Sequence, residues 1–251
     1  MKNARSLVDR SLARSWREDA TLPCVRCPAR SFNVCNPLNY ERQKELFEIG
    51  KVQTWTRRQQ LFRSGDLIAS IFKITSGVVA VSKMLPDGRR QILDFFLPGD
   101  LCGFLESDMH YSFDSEAITE TTTCSFDRGR FMDFAKQHPD VAESMRVAIA
   151  DRLKRAVLHM AVLGQLTSTE RVATFLCSLT AACGTRDVRS NALVLPMNRT
   201  DIADYLGLRL ETVSRALSRL RQRRFIEIEN DEFVVINRTA LVEMSNSPYL
   251  G

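Results

Sequence analysis

Three of the chain's seven cysteines, Cys24, Cys27 and Cys35, fall close together in the stretch PCVRCPARSFNVC. Thiolates are soft donors suited to iron–sulfur clusters or zinc. Cysteines two residues apart can bind neighbouring metal atoms while the intervening amides point at the sulfurs and tune them. Pro28, directly after Cys27, removes one such N–H. A closed four-cysteine centre needs a fourth thiolate. The sequence offers Cys102, in GDLCGF, and Cys124, in TTTCSFD. Zinc would use the same residues as a tetrahedron of thiolates, although its sites more often gather two Cys-x2-Cys knuckles and the second is missing here. Uncoordinated thiols are a third reading. An odd cysteine count argues against a disulfide framework. Cys177 and Cys183 read as packing and helix-end residues.

A second chemistry lies far downstream, in MNRTDIADYLGLRLETVSRALSRLRQRRFIEI. Asn198 can cap a helix, with Asp201 three residues on, and Gly207 suits a turn with left-handed backbone. A second helix then spans about 209–223. On it Leu210, Val213, Leu217 and Leu220 repeat at helical spacing and are expected to face the core. Glu211, Ser214, Arg215 and Ser218 occupy another arc. This is a helix-turn-helix pattern, whose second helix enters the major groove. Arg215 can bond two guanine acceptors, Glu211 can accept from cytosine, and Ser214 is adaptable. Thr200, Arg209, Ser218 and Arg219, with Arg221, Arg223 and Arg224, are candidates for phosphate contacts, which position without specifying.

These groups need elements to hold them. Residues 1–22 read as a mobile N-terminal tail. Residues 23–138 hold the cysteine segment, a short helix over 40–50 and a run of short strands with tight turns, including Asp87-Gly88, which suggests an all-β roll. Residues 139–165 are expected to form one long helix opened by His138-Pro139. Its stripe takes in Val141, Met145, Ala148, Ile149, Arg152, Ala156, His159, Met160 and Leu163. Arg152 and His159 suit a dimer seam better than a domain core, since polar seam residues can set register. Residues 166–251 read as a winged helix-turn-helix, closed by the hairpin FIEIENDEFVVI. The fold class is α+β.

The bulk numbers exclude several alternatives. The chain has 251 residues, 44% hydrophobic, with net charge +5. The N-terminal stretch lacks the apolar run of a secretory signal, and no segment has the roughly 18 apolar residues of a membrane helix, so a cytoplasmic protein is expected. Three scattered histidines and no Gly-rich phosphate loop argue against an enzyme. No arginine occurs between Arg90 and Arg128. A nucleotide phosphate buried there would lack a cation, which argues against cyclic-nucleotide binding.

The order of β-roll, long helix and winged helix-turn-helix resembles the bacterial CRP/FNR superfamily of transcription regulators, and LETVSR carries the Glu-x-x-Ser-Arg pattern of its FNR/FixK branch. The cysteine spacing is similar to the FnrN/FnrL variant. The resemblance implies a cyclic-nucleotide-binding-like jelly roll and a homodimer joined along the long helix. It implies a DNA-binding regulator, in the main an activator, whose Glu211, Ser214 and Arg215 read TTGAT…ATCAA palindromes. It further implies an oxygen-labile [4Fe-4S] cluster on Cys24, Cys27, Cys35 and Cys124, with Cys102 as the other candidate. RNA polymerase is the implied partner, through the basic turn LPDGRRQ (85–91). A regulator with structural zinc or a thiol switch, and no iron–sulfur cluster, is the alternative.

Overall fold

The computed structural model describes residues 22–103, 109–182, 192–193, 195–229, 232–235 and 237–245. The expected tail, apart from Leu22, lies outside these residues, as do Cys183 and the turn at Asn230-Asp231. The chain divides into two compact units, residues 1–88 with 93–152 and residues 89–92 with 153–251.

The first unit begins with two single-turn 3-10 helices, Pro23–Arg26 and Asn33–Cys35, followed by helix α1, Tyr40–Glu48. Asn39 caps α1 by accepting from the Arg42 amide at 3.0 Å. Strands β1 (Gly50–Trp55), β2 (Gln60–Phe62), β3 (Ser70–Ser76), β4 (Val79–Met84), β5 (Arg90–Phe96), β6 (Leu101–Cys102), β7 (Asp114–Ala117) and β8 (Thr121–Asp127) follow. They form two four-stranded sheets, ordered β1-β8-β3-β6 and β2-β7-β4-β5. Between the β4 and β5 strands the Gly88 amide bonds the Leu85 carbonyl at 2.9 Å, closing the expected tight turn. Helices α2 (Arg128–Gln137) and α3 (Pro139–Gln165) come next, and α3 runs on into the second unit.

Side chains alternate across a strand, so each face of a sheet takes every second residue. Phe72 and Ile74 of β3 meet Phe62, Val79, Val81 and Ala117 of the other sheet. Phe62 stacks on Tyr111 with ring centroids 3.9 Å apart. The opposite face of the first sheet carries Ile71 and Phe126, covered by Val34 and Leu38, Leu46 of α1, Phe131 and Phe134 of α2, and Val141 and Met145 of α3. The cysteine segment is part of that cover, with Ala29 and Val34 wholly buried.

The stripe expected on α3 resolves into two faces. Met145 and Arg152 are buried, and Ala148, His159 and Leu163 half-buried, all turned toward the chain's own body. Ile149, Ala156 and Met160 are exposed, and they line up with Leu153 and Val157, which the sequence stripe left out. On a 3.6-residue period, 145, 148, 152 and 159 share one side and 149, 153, 156 and 160 the next. Both sides carry apolar residues, so periodicity merged them. Arg152, expected in the seam, is turned inward and buried within its own unit. Its guanidinium pairs with Asp94 and with Asp100, the latter at 3.0 Å, and lies 3.7 Å over the Phe96 ring.

In the second unit, α4 (Ser168–Ala182), β9 (Ala192–Leu193), α5 (Arg199–Leu206), α6 (Leu210–Gln222), β10 (Ile226–Glu229), β11 (Glu232–Val235) and α7 (Arg238–Ser245) follow in order. Thr167 opens α4, its amide and hydroxyl both held by Glu170 at 2.7 Å. The expected two-stranded wing is three-stranded, ordered β10-β11-β9, because Ala192–Leu193 adds to its edge. Two residues are too short a run for alternation to reveal.

Candidate metal centre and nucleic-acid interface

Antiparallel register decides which cysteines can meet. On β8, Cys124 lies opposite Lys73 of β3 on one side and Val52 of β1 on the other. Thr123 and Ser125 bond each other at 3.0 Å on the buried inner face, so Cys124 points outward with Phe126. That outward face is the one the segment 23–35 covers. Cys102 lies opposite Phe72 and takes the inner face. It is wholly buried, 3.9 Å from the Ser115 hydroxyl of the other sheet. The sheet itself separates Cys102 from the N-terminal cysteines. Cys177 is buried on α4 in the second unit, in keeping with a packing role.

Cys24, Cys27, Cys35 and Cys124 gather on one side of the sheet, close enough to act on one another electrostatically. Burial pushes the Cys24 thiol up to about 12, and Cys35 and Cys27 add to the rise. Burial raises Cys27 as well. The Cys124 thiol is raised well above its ordinary value by burial first, then by Cys27, Cys35 and Cys24. Thiols raised in this way, as those of Cys24, Cys27 and Cys124 are, give up their protons to a strongly cationic centre. The donor set is all sulfur, which suits iron–sulfur or zinc chemistry. Among the described residues no three histidine, cysteine or acidic side chains converge tightly enough to chelate one ion. The four sulfurs share a site without closing on a single point. One thiolate per iron demands less convergence than four around one zinc at about 2.3 Å each.

Two bonds tie the cysteine segment to the roll. Lys73 Nζ donates to the Phe32 carbonyl at 2.8 Å, and Asn33 Nδ2 donates to the Gly99 carbonyl. Gly99, at φ +104°, admits the Phe32 side chain so closely that any Cβ there would lie 2.6 Å from it.

The helix pair of the second unit is built by local chemistry. Asn198 Oδ1 accepts from the Asp201 amide at 2.8 Å while Asp201 accepts from the Asn198 amide at 3.3 Å, a capping box. Gly207 adopts the left-handed conformation at φ +61°. Val213, Leu217 and Leu220 are buried as expected. Leu210, expected in the core, is 43% exposed. It is the first residue of α6, before the helix turns onto its support, and Ala216 fills the inner face instead. Glu211, Arg215 and Ser218 are exposed and Ser214 half-buried on the opposite side. Ser218 donates to the Ser214 carbonyl at 2.9 Å. Thr200, Arg209 and Arg219 are exposed, as are Arg221, Arg223 and Arg224.

Sequence reasoning missed how α5 is held. Arg90 donates to Asp201 at 2.6 Å and to Asp204 at 2.8 Å, so this arginine of the basic turn is engaged within its own unit. His159 stacks on Tyr205 with centroids 4.2 Å apart, and Arg171 donates to the Leu206 carbonyl at 3.1 Å. Each partner sits far away in sequence, so no spacing rule reveals it.

Comparison with known proteins agrees with this architecture. A model of the Crp-like helix-turn-helix domain matches residues 170–244, and one of the cyclic nucleotide-binding domain matches residues 52–138. The nitrogen fixation regulation protein FixK of Bradyrhizobium diazoefficiens is 35% identical over 82% of this chain and 86% of its own length. The transcriptional activator protein FnrL of Cereibacter sphaeroides is 29% identical over 85% of this chain and 87% of its own. The structure of FixK2 from Bradyrhizobium japonicum superposes with a TM-score of 0.72 at 34% identity, covering 78% of this chain and 97% of that one. No helix among the described residues is long and apolar enough to cross a membrane. With its β-roll, its long helix and its winged helix-turn-helix, the chain belongs to the CRP/FNR family of DNA-binding transcription regulators, which are not enzymes.

Proposed function

We propose that this regulator is a cytoplasmic homodimer that senses oxygen or redox state through a [4Fe-4S] cluster on Cys24, Cys27, Cys35 and Cys124. The observation that carries this reading is the gathering of those four thiols on one face of the first sheet, with Cys102 on the other. A bound cluster supplies iron–sulfur bonds that react with oxygen and electrons. The chain's own residues do the rest. The segment 23–35 brings three ligands onto the roll, and β8 presents the fourth from a rigid strand. The exposed line Ile149, Leu153, Ala156, Val157 and Met160 on α3 receives the second copy, which sets two recognition helices about one DNA turn apart. Of the seam expected from sequence, Met145, Ala148, Arg152, His159 and Leu163 support this face from behind.

Glu211, Ser214 and Arg215 read base edges of TTGAT-type palindromes, and Thr200, Arg209, Ser218 and Arg219 hold phosphates. RNA polymerase is the further partner, met by the exposed residues 85–89 of the basic turn. Cyclic nucleotide is not the effector in this reading, since no arginine stands between Arg90 and Arg128 to meet its phosphate.

Anaerobic purification tests the reading. A brown protein with matched iron and acid-labile sulfide, lost in Cys124→Ser and kept in Cys102→Ser, supports it. A colourless protein with stoichiometric zinc sinks it, as does operator binding equally tight before and after exposure to air.

A further inference from the structure

Lys73 sits in the middle of β3 at 1% exposure. Its register neighbours are Cys124 on β8 and Leu101 on β6. The neighbouring Phe72 and Ile74 fill the core between the sheets, so Lys73 projects from the opposite face, into the layer that the cysteine segment covers. Its ammonium reaches the carbonyl of Phe32, which lies between Cys27 and Cys35 in the chain. It acts electrostatically on Cys24, Cys27 and Cys124, opposing the rise that burial imposes on each thiol.

A lysine so placed is costly. Among the described residues no carboxylate lies within ion-pair distance of it, and one carbonyl uses one of its three N–H groups. Burial of a charge is tolerated when an opposite charge meets it. Cys35 and Cys124 of the proposed site lie on this same covered face. A metal cluster carried by four thiolates has net negative charge and meets that need.

We propose that Lys73 is the buried counter-charge of the iron–sulfur cluster and sets how firmly the four thiolates retain it. This inference rests on the cluster reading above. Groups just outside a metal's ligands tune its potential and affinity through charge and hydrogen bonds, and their loss typically weakens metal retention roughly 10- to 100-fold. Two substitutions separate charge from hydrogen bonding. Lys73→Gln keeps an N–H donor and loses the charge, whereas Lys73→Met loses both.

The experiment uses the full-length protein reconstituted anaerobically. It follows iron and sulfide release to a chelator by absorbance, the cluster's reduction potential, and the melting temperature of the metal-free form. Both variants are expected to bind the cluster, to release it roughly 10- to 100-fold faster than the unsubstituted chain, and to lower its potential. Neither is expected to melt earlier when metal-free, because an uncompensated buried cation has been removed. Release from Lys73→Gln as slow as from the unsubstituted chain overturns the inference and leaves the cluster reading standing, and this variant decides the matter if Lys73→Met does not fold. A metal-free Lys73→Met that melts early beside an unchanged Lys73→Gln also overturns it, by showing that Lys73 merely pins Phe32. An unsubstituted chain that takes up no iron or sulfide removes the cluster reading and this inference with it.

Discussion

Replacing Arg152 by methionine separates an internal strut from a dimer contact. The Arg152 side chain is 9% exposed, bonded to Asp94 and Asp100, and stacked on Phe96. Methionine keeps the length and the contact with the ring, but it strands two carboxylates. Removing one partner of a buried pair costs about 3–5 kcal/mol. The two carboxylates are 28% and 24% exposed, so water recovers part of that. About 2–3 kcal/mol of destabilisation remains, which in a chain of this size lowers Tm by about 5–10 °C. Thermal unfolding by circular dichroism reads the loss, and sedimentation velocity on the same samples reads the oligomeric state. Tm is expected to fall while the oligomeric state stays the same. Adding Asp94→Asn should restore part of the loss, since the pair is coupled. A variant that dimerises more tightly and melts no earlier would refute this reasoning. It would place Arg152 opposite its own copy across a two-fold, where like charges repel.

Leu153→Glu should dissociate the dimer, because Leu153 is 64% exposed on the outward face of α3 and burying such a side chain gains about 1.5–3 kcal/mol per copy. The dimer Kd should rise roughly 100-fold or more by sedimentation equilibrium, and an unchanged Kd would move the seam elsewhere. Arg215→Ala should cost about 1–3 kcal/mol in operator binding and relax preference at one base pair, while Arg219→Ala should weaken all sequences alike and reduce the salt slope by about one, both read by fluorescence anisotropy. Cys102 offers a pH test. Burial pushes its thiol up to about 12, so its folded pKa lies above the ordinary 9.0. Its contribution to stability is intact below pH 9.0 and drains away as pH rises toward about 12, by at most about 1.4 kcal/mol per pH unit. Denaturant titrations of Cys102→Ala should show a shallower alkaline fall than the unsubstituted chain.

What could be read along the chain was whatever depends on near neighbours. The capping box of Asn198 and Asp201, the left-handed Gly207, the turn at Leu85–Gly88 and the length of α3 all follow from contacts within a few residues. So does the arc of Glu211, Ser214 and Arg215, because a 3.6-residue period places it opposite Val213 and Leu217 without help from the rest of the fold.

What lay beyond the sequence depends on register and on covering. Cys102 and Cys124 look alike as cysteines in short strands, and only the pairing of β3 with β6 and β8 puts them on opposite faces. The burial of Lys73, between Phe72 and Ile74, arises only because the segment from Pro23 to Cys35 covers its face of the sheet. The two sides of α3 differ in what packs on them, which is why Arg152 is buried while Leu153 beside it is exposed. Local elements follow from near neighbours in the chain. Which cysteines share a face of the sheet, and the burial of Lys73 beside them, follow from contacts distant in sequence, since a strand's faces acquire meaning only when something is packed against them.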